Sequence, residues 1–145
     1  CIGIDIDIRD HNRQGLQDHP LFPMIRLVQG SSIDSSTINS VKDLIPESSR
    51  VMVILDSNHT YSHVYSELEI FSDIVTPGLP LIVHDTGIEY APSELFPDRD
   101  WGEGNNPMTA VDQFLTESPN FERFEIANKK LLITSSPLGY LKRIS

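Results

Sequence analysis

The chain has 145 residues, a formal net charge of −10 and a hydrophobic content of 39%. This length fits one domain with its own core. The acidic balance argues against nucleic acid or an anionic membrane as a partner, because both require basic patches. No apolar run approaches the roughly 20 residues that span a bilayer. The single cysteine, Cys1, excludes an internal disulfide and fits a reducing cytoplasm.

The first residues already have the pattern of a strand. Apolar residues alternate with Gly3, Asp5 and Asp7 as far as Ile8, which is typical of a half-exposed strand. The chain starts with Cys1 rather than Met, and no element precedes this strand, so we expect an N-terminally truncated domain. A carboxylate at a strand end, such as Asp5, can accept two hydrogen bonds from a ribose diol. A solvated strand face is the alternative.

The next elements alternate between helices and strands. The pattern predicts a helix over residues 10–19, a strand over 24–28, and a helix from 35 or 36 to 44. A loop containing Gly30, Ser31 and Ser32 follows the strand. Such a loop can contact a ligand through its N–H groups and hydroxyls, or it can be a plain connection.

Five apolar residues run without interruption over 51–55. A short, fully apolar run is typical of a strand covered on both faces in a parallel sheet. Asp56, Asn58, His59 and His63 follow it. Open α/β sheets bind ligands at the carboxyl ends of their strands, so we expect the chemistry to start at Asp56.

A second strand of this kind is predicted over residues 79–83, after a helix over 60–74. It ends in His84 and Asp85. The resulting order β-α-β-α-β-α-β predicts an α/β fold with a parallel sheet and right-handed crossovers.

Residues 87–106 form a long connection that leaves from the strand end carrying Asp85. It is rich in aromatic residues and proline. A loop of this length is usually functional or disordered, so we interpret it as a lid-like insertion over a substrate, with a surface insertion as the alternative. Asn106 and Pro107 then predict the start of a helix whose buried face contains Val111, Phe114 and Leu115.

The C-terminal residues predict two closing strands, over 121–126 and 130–134. The short turn between them, at Asn128, favours an antiparallel hairpin. We expect residues 139–144 to extend the last strand. The whole is a single domain over 1–145 with a mostly parallel sheet and a C-terminal antiparallel hairpin.

Asp56, His84 and Asp85 lie at the ends of two strands that should be neighbours. Carboxylates in this arrangement suit Mg²⁺, which takes one or two of them and completes its octahedron with water and substrate oxygens. His59, three residues after Asp56, is placed to remove a proton from a substrate hydroxyl. A turn or helix-capping role is the alternative for His59, and for His63 a helix-surface role is the simpler interpretation.

Several motifs together resemble the bacterial cephalosporin hydroxylase family, which includes rhamnosyl O-methyltransferase-like proteins. The motifs are GIDID, QGSS, VILDSNHT, HDT, FPDRDWGEGNNP and KLLIT followed by PLGYLKR. They span essentially the whole chain, and ILDSNHT and WGEGNNP are the most specific of them. The resemblance implies a class I S-adenosylmethionine-dependent methyltransferase fold, a Rossmann-like three-layer α/β/α sandwich, with a Mg²⁺ site.

The resemblance also implies a role for individual residues. Asp5 matches the acidic residue that holds the cofactor ribose, and residues 30–32 match the loop near the adenine. Asp56 and Asp85 match the two metal carboxylates, and His59 stands where metal-dependent O-methyltransferases of the catechol type keep their base.

There are two departures from the family pattern. His84 stands where some relatives have Glu, which weakens or alters the third metal ligand. The family's first strand and Gly-rich loop should lie before Cys1, and that loop contacts the methionine part of the cofactor. A chain without it would bind S-adenosylmethionine poorly.

Three hypotheses remain open. The first is an S-adenosylmethionine- and Mg²⁺-dependent O-methyltransferase acting on a hydroxyl of a sugar or other natural product in the cytoplasm. The second takes the family name literally, as an Fe(II) hydroxylase that uses His59, His84 and a carboxylate. The third is a non-catalytic truncated domain that assembles through its exposed sheet edge. A homo-oligomer is compatible with each of them.

Overall fold

The computed structural model describes residues 1–145, which group into two compact units, 1–49 and 50–145. Each unit has its own hydrogen-bonded sheet, with two strands in the first and four in the second. The organisation as a single domain stays a prediction.

The first unit is built on two parallel strands, β1 (Ile2–Asp5) and β2 (Arg26–Gln29). Helix α1 (Asp10–Gln17) lies between them in the chain, and helix α2 (Ser35–Asp43) follows β2. Strand β1 ends three residues earlier than predicted. The backbone N–H of Asp7 donates to Oδ1 of Asp5 over 2.8 Å, and this local turn takes the chain out of the strand.

The second unit contains a four-stranded mixed sheet in the order β3-β4-β6-β5. Strand β3 (Val53–Leu55) is parallel to β4 (Pro80–Val83). Strand β6 (Tyr140–Arg143) is antiparallel both to β4 and to β5 (Phe121–Arg123). The expected parallel pair is therefore present, and the sheet also closes with an antiparallel pair, formed by β6 and β5.

Three helices accompany this sheet: α3 (Tyr61–Ser72), α4 (Pro107–Glu117) and α5 (Glu125–Lys130). Helices α3 and α4 pack against each other. None of the helices combines the length and the apolar character that a bilayer crossing requires. Strands, helices and the turn after α3 together supply its fully buried core side chains, among them Leu68, Val75, Leu81, Val83, Val111 and Leu141.

The predicted strand over 130–134 is wrong. Residues 125–130 form helix α5, supported by an ion pair of 2.9 Å between Nζ of Lys129 and Oε2 of Glu125, and Leu132 and Ile133 are 93% and 95% exposed. A short apolar run does not by itself distinguish a strand from other structure. The partner of β5 is instead β6, whose residues were expected only to extend the last strand. Strand β6 takes this place because it also pairs with β4 and buries Leu141.

Strand β3 is not covered on both faces as predicted. Leu55 is buried, but Met52 and Ile54 are 48% and 55% exposed. Side chains of a strand alternate between its two faces, so the better covered face is the one that carries Leu55, which is buried, and Val53, which is half-buried. On α4, Val111 and Phe114 are buried as expected, whereas Leu115 is only half-buried.

Candidate active site

Asp56, His59 and Asp85 converge at the carboxyl ends of β3 and β4. Nε2 of His59 lies 3.0 Å from Oδ2 of Asp85 and 3.8 Å from Oδ1 of Asp56. One ligand atom from each of the three residues lies within 4.8 Å of the others. The two strands are parallel neighbours, so their polar ends meet at one edge of the sheet.

The loop between β3 and α3 delivers Asp56 and His59. Oδ1 of Asn58 accepts hydrogen bonds from the backbone N–H (2.8 Å) and the hydroxyl (2.7 Å) of Thr60, and this closes a tight turn. Thr60 is the N-cap residue of α3, as predicted. The turn places His59 just before the helix, within reach of Asp85 on the neighbouring strand end.

Asp85 adopts a left-handed backbone conformation, with φ of 54°. Asp tolerates this region better than most residues, but the conformation still needs support from its surroundings. That support comes from the segment before β6. The hydroxyl of Thr86 donates to the carbonyl oxygen of Pro137 over 2.7 Å, and the N–H of Gly87 donates to that of Ser135 over 3.0 Å.

The imidazole of His59 has a buried nitrogen that lacks an aligned hydrogen bond. Nε2 is within 3.0 Å of the Asp85 carboxylate, yet the direction of the contact does not meet hydrogen-bond geometry. Buried polar atoms normally have a partner, and exceptions are often found where a ligand or ion belongs. The two carboxylates beside this nitrogen are a donor set that fits a divalent cation, and the nitrogen itself is left to contact a molecule bound there.

Trp101, in the 87–106 segment, covers one side of His59. The two rings meet edge to face, with centroids 5.2 Å apart and an interplanar angle of 77°. Phe96 packs on Trp101 at 4.7 Å between ring centroids, and the Arg99 guanidinium lies 5.6 Å from the Trp101 ring centroid. The segment predicted as a lid therefore contacts the expected base, while its role as a substrate lid stays a prediction.

Asn105 and Asn106 anchor this segment. Oδ1 of Asn105 accepts the N–H of Tyr61, the first residue of α3, over 3.0 Å, and its Nδ2 donates to the carbonyl oxygen of Asp100 over 2.6 Å. Nδ2 of Asn106 donates to the carbonyl oxygen of Gly102 over 2.7 Å. These bonds fix Trp101 relative to the start of α3. The sequence predicted Asn106 as a helix cap and gave no role to Asn105.

The two other histidines near this strand end lie outside the cluster. The backbone N–H of His84 donates to the carbonyl oxygen of Leu55 over 2.9 Å, which extends the β3–β4 pairing, and the three-residue cluster does not contain its side chain. His84 as a third metal ligand stays a prediction. Nε2 of His63 lies 3.6 Å from Oε1 of Glu67, so His63 faces a neighbouring turn of α3.

Glu67 is a residue near the site that sequence reasoning missed. Its side chain is buried, and Oε2 accepts a hydrogen bond from the hydroxyl of Ser57 over 2.8 Å. A signal was available, because Glu67 lies three residues after Val64 and one before Leu68, within the apolar stripe of α3. A carboxylate in such a stripe predicts a buried partner.

The residues expected to bind the cofactor lie together in the first unit. Gly30 donates its N–H to the carbonyl oxygen of Asp5 over 2.9 Å, directly after the pairing of Asp5 with Gln29. Ser31 and Ser32 follow Gly30 in the chain.

Gly30 itself has φ of 154°, and a Cβ at this position would lie 2.2 Å from Oγ1 of Thr37. Only glycine permits this close approach of β2 to α2. A cavity of about 520 Å³ in the same unit is lined by Asp5 together with residues of β1, α1 and β2.

The comparison with protein families identifies the chain. The model of the family "Rhamnosyl O-methyltransferase/CmcI" matches residues 1–144. The chain belongs to the rhamnosyl O-methyltransferase/CmcI family. The resemblance drawn from the sequence motifs is therefore confirmed.

Curated relatives include the rhamnosyl O-methyltransferases of Mycobacterium tuberculosis (strain H37Rv) and Mycobacterium bovis (strain BCG). Each is 29% identical to this chain over 123 residues, which is 83% of this chain and 48% of the relative. The chain thus spans about half the length of the curated relatives it matches.

Among solved structures, the chain is similar to MycE, a methyltransferase from the mycinamycin biosynthetic pathway, in complex with Mg, SAH and mycinamycin VI. The TM-score is 0.54 at 18% identity, over 99% of this chain and 36% of MycE. This likeness concerns the fold, and it confirms the predicted α/β, Rossmann-like class.

Proposed function

We propose that this chain forms part of an S-adenosylmethionine-dependent O-methyltransferase that acts on a hydroxyl of a small molecule such as a sugar or other natural product. Membership of the rhamnosyl O-methyltransferase/CmcI family supports the reaction class. The observation that carries the proposal is the convergence of Asp56, His59 and Asp85 at one sheet edge.

Asp56 and Asp85 are the residues that would hold a divalent cation, with Mg²⁺ favoured because carboxylate oxygens are its preferred protein ligands. Both carboxylates are partly exposed, so a cation and an acceptor hydroxyl can reach them. A bound cation supplies a positive charge that lowers the pKa of an adjacent hydroxyl. The solved complex of MycE contains Mg, which supports this assignment by analogy of fold.

His59 is the general base. Its buried Nε2 has no aligned hydrogen bond and can accept the proton of an acceptor hydroxyl. The carboxylate of Asp85 lies 3.0 Å from this nitrogen. Trp101 shields one side of the ring and restricts its orientation. The methyl donor, when bound, supplies a methyl group on a positively charged sulfur, so alignment and deprotonation of the acceptor are the main tasks of the protein.

Cofactor binding is assigned to Asp5 and residues 30–32 of the first unit. Asp5 would accept hydrogen bonds from the ribose hydroxyls, and Gly30, Ser31 and Ser32 would line the adenine. The hydrogen bond between Gly30 and Asp5 supports this assignment, because it brings the two segments together. The cytoplasmic location and a homo-oligomeric state stay predictions.

The cluster favours methyl transfer over Fe(II)-dependent hydroxylation. A non-haem iron centre uses two histidines and one carboxylate on one face of the metal. Here one histidine and two carboxylates converge, and His84 is not among them.

Calorimetric titration of S-adenosylmethionine tests the proposal. We expect binding to the protein that contains this chain, weakened at least tenfold by Asp5→Ala. Asp7→Ala is the matched control, because the Asp7 carboxylate forms only an exposed ion pair with Arg9 at 3.8 Å. Absence of binding would contradict the proposal. Oxygen consumption with Fe(II), without methyl transfer, would support the hydroxylase instead.

A further inference from the structure

A buried carboxylate contacts the loop that carries Asp56 and His59. Glu67 on α3 is only 2% exposed. A buried charge is costly unless it is paired and hydrogen-bonded, so its partners indicate what it is held for. Oε2 accepts the hydroxyl of Ser57 over 2.8 Å, and Oε1 lies 3.6 Å from Nε2 of His63.

Ser57 connects Glu67 to the candidate site through the chain itself. It follows Asp56 directly and precedes His59 by two residues. Its hydroxyl is held by a residue two turns into α3, so the loop cannot swing away from the helix without breaking this bond. Asn58 closes the other end of the same loop on Thr60. The loop is therefore held at Ser57 and Asn58, the two residues that lie between Asp56 and His59.

We propose that Glu67 is a positioning residue that, through Ser57, fixes the distances from His59 to Asp56 and Asp85. The inference rests on the proposed function, because those distances matter only if the cluster binds a cation and an acceptor. Glu67 touches none of the three residues in the described contacts. It acts by fixing the backbone between them, as residues behind metal ligands commonly do.

The contact between His59 and Trp101 provides a metal-independent measure of this positioning. Their ring centroids lie 5.2 Å apart, close enough for a nuclear Overhauser effect between ring protons. Trp101 is the only tryptophan in the chain, so its ring signals are unambiguous. If Glu67 had a purely structural role, loss of its contact with Ser57 would lower stability and leave the His59–Trp101 contact intact in the folded protein.

The decisive variants are Ser57→Ala, which removes the hydroxyl, and Ser57→Thr, which keeps it. We expect Ser57→Ala to lose the His59–Trp101 effect and Ser57→Thr to retain it. Mn²⁺ affinity, measured by paramagnetic quenching of Trp101 fluorescence, should fall at least tenfold in Ser57→Ala. Glu67→Gln should weaken the contact as well, and Ser57→Ala serves as the test should Glu67→Gln fail to fold.

Glu69→Gln is the matched control, since Glu69 is an exposed glutamate on the same helix. It should retain both signals. An unchanged His59–Trp101 effect in folded Ser57→Ala would overturn the positioning role, whether or not Mn²⁺ binds. Failure of the unsubstituted protein to bind Mn²⁺ would instead contradict the metal site of the proposed function, and the nuclear Overhauser measurement would still decide the role of Glu67.

Discussion

The cap of helix α4 allows a quantitative test of how the Trp101 segment is held. Asn106 is fully buried, and its Oδ1 accepts the N–H groups of Met108 (2.8 Å) and Thr109 (3.3 Å). Its Nδ2 donates to the carbonyl oxygen of Gly102 (2.7 Å) and to Oε2 of Glu89. One side chain thus starts the helix through its oxygen and anchors the preceding segment through its nitrogen.

Two variants separate these contributions. Asn106→Ser keeps a capping oxygen but loses the amide donors, so it should lower the free energy of unfolding by about 2 kcal/mol, the net value of one neutral and one charge-assisted hydrogen bond. Asn106→Ala also loses the cap, which adds about 1 kcal/mol and gives a total of about 3 kcal/mol.

Urea unfolding followed by circular dichroism and by Trp101 emission measures both values. Asn39→Ala, at an exposed position of α2, is the control and should change stability by less than about 0.5 kcal/mol. Both Asn106 variants should also shift the emission of Trp101 to longer wavelength before unfolding, because the anchored segment loosens. Equal free energies of unfolding for Asn106→Ser and Asn106→Ala would refute a stabilising contribution of the cap. If neither variant were less stable than the unsubstituted protein, the anchoring role would be refuted.

Three further predictions concern backbone strain, close packing and pH. The free energy of unfolding of Asp85→Gly should be about 1 kcal/mol higher than that of Asp85→Ala, because glycine adopts φ of 54° without steric cost. A higher stability of Asp85→Ala in urea unfolding would contradict this strain. Gly139→Ala should cost about 1–3 kcal/mol in the same assay, because its Cβ would lie 2.2 Å from the last carbonyl oxygen of β4, whereas Gly15→Ala, with open space around it, should not destabilise. The hydrogen bond of 2.6 Å from the Tyr65 hydroxyl lowers the pKa of Glu117 below 4.5 and raises the pKa of Tyr65 from 10.0 to about 12. Stability from this pair is present at neutral pH and is lost both as pH falls through the lowered pKa of Glu117 and as it rises through that of Tyr65. The melting-temperature difference between Tyr65→Phe and the unsubstituted protein should therefore narrow below pH 4.5. A difference that stays constant with pH would contradict stabilisation by the Tyr65–Glu117 hydrogen bond.

The sequence predicted the location of the cluster because the carboxyl ends of parallel strands converge. Asp56 and Asp85 follow β3 and β4 directly, so a correct assignment of two neighbouring parallel strands was sufficient to bring them together. The position of His59 follows from that of Asp56, since only two residues of the turn lie between them. These placements depend on local pattern and on one pairing.

The surroundings of the cluster depend on contacts between distant residues, which no local pattern shows. Trp101 reaches His59 across 42 positions, and Asn105 reaches the N–H of Tyr61 across 44. The misassigned strand over 130–134 has the same cause. Its apolar residues suit a strand, but the pairing with β4 and β5 was taken by β6, where Leu141 is fully buried.

Titration of the protein with Mn²⁺, followed by the fluorescence of Trp101, tests the cation site most directly. Mn²⁺ accepts the same oxygen ligands as Mg²⁺, and Trp101 contacts His59 in the middle of the cluster. A cation site on Asp56 and Asp85 predicts saturable quenching that Mg²⁺ reverses and that Asp56→Asn and Asp85→Asn each weaken at least tenfold. Quenching that does not saturate, or that is the same in these variants as in the unsubstituted protein, would contradict it.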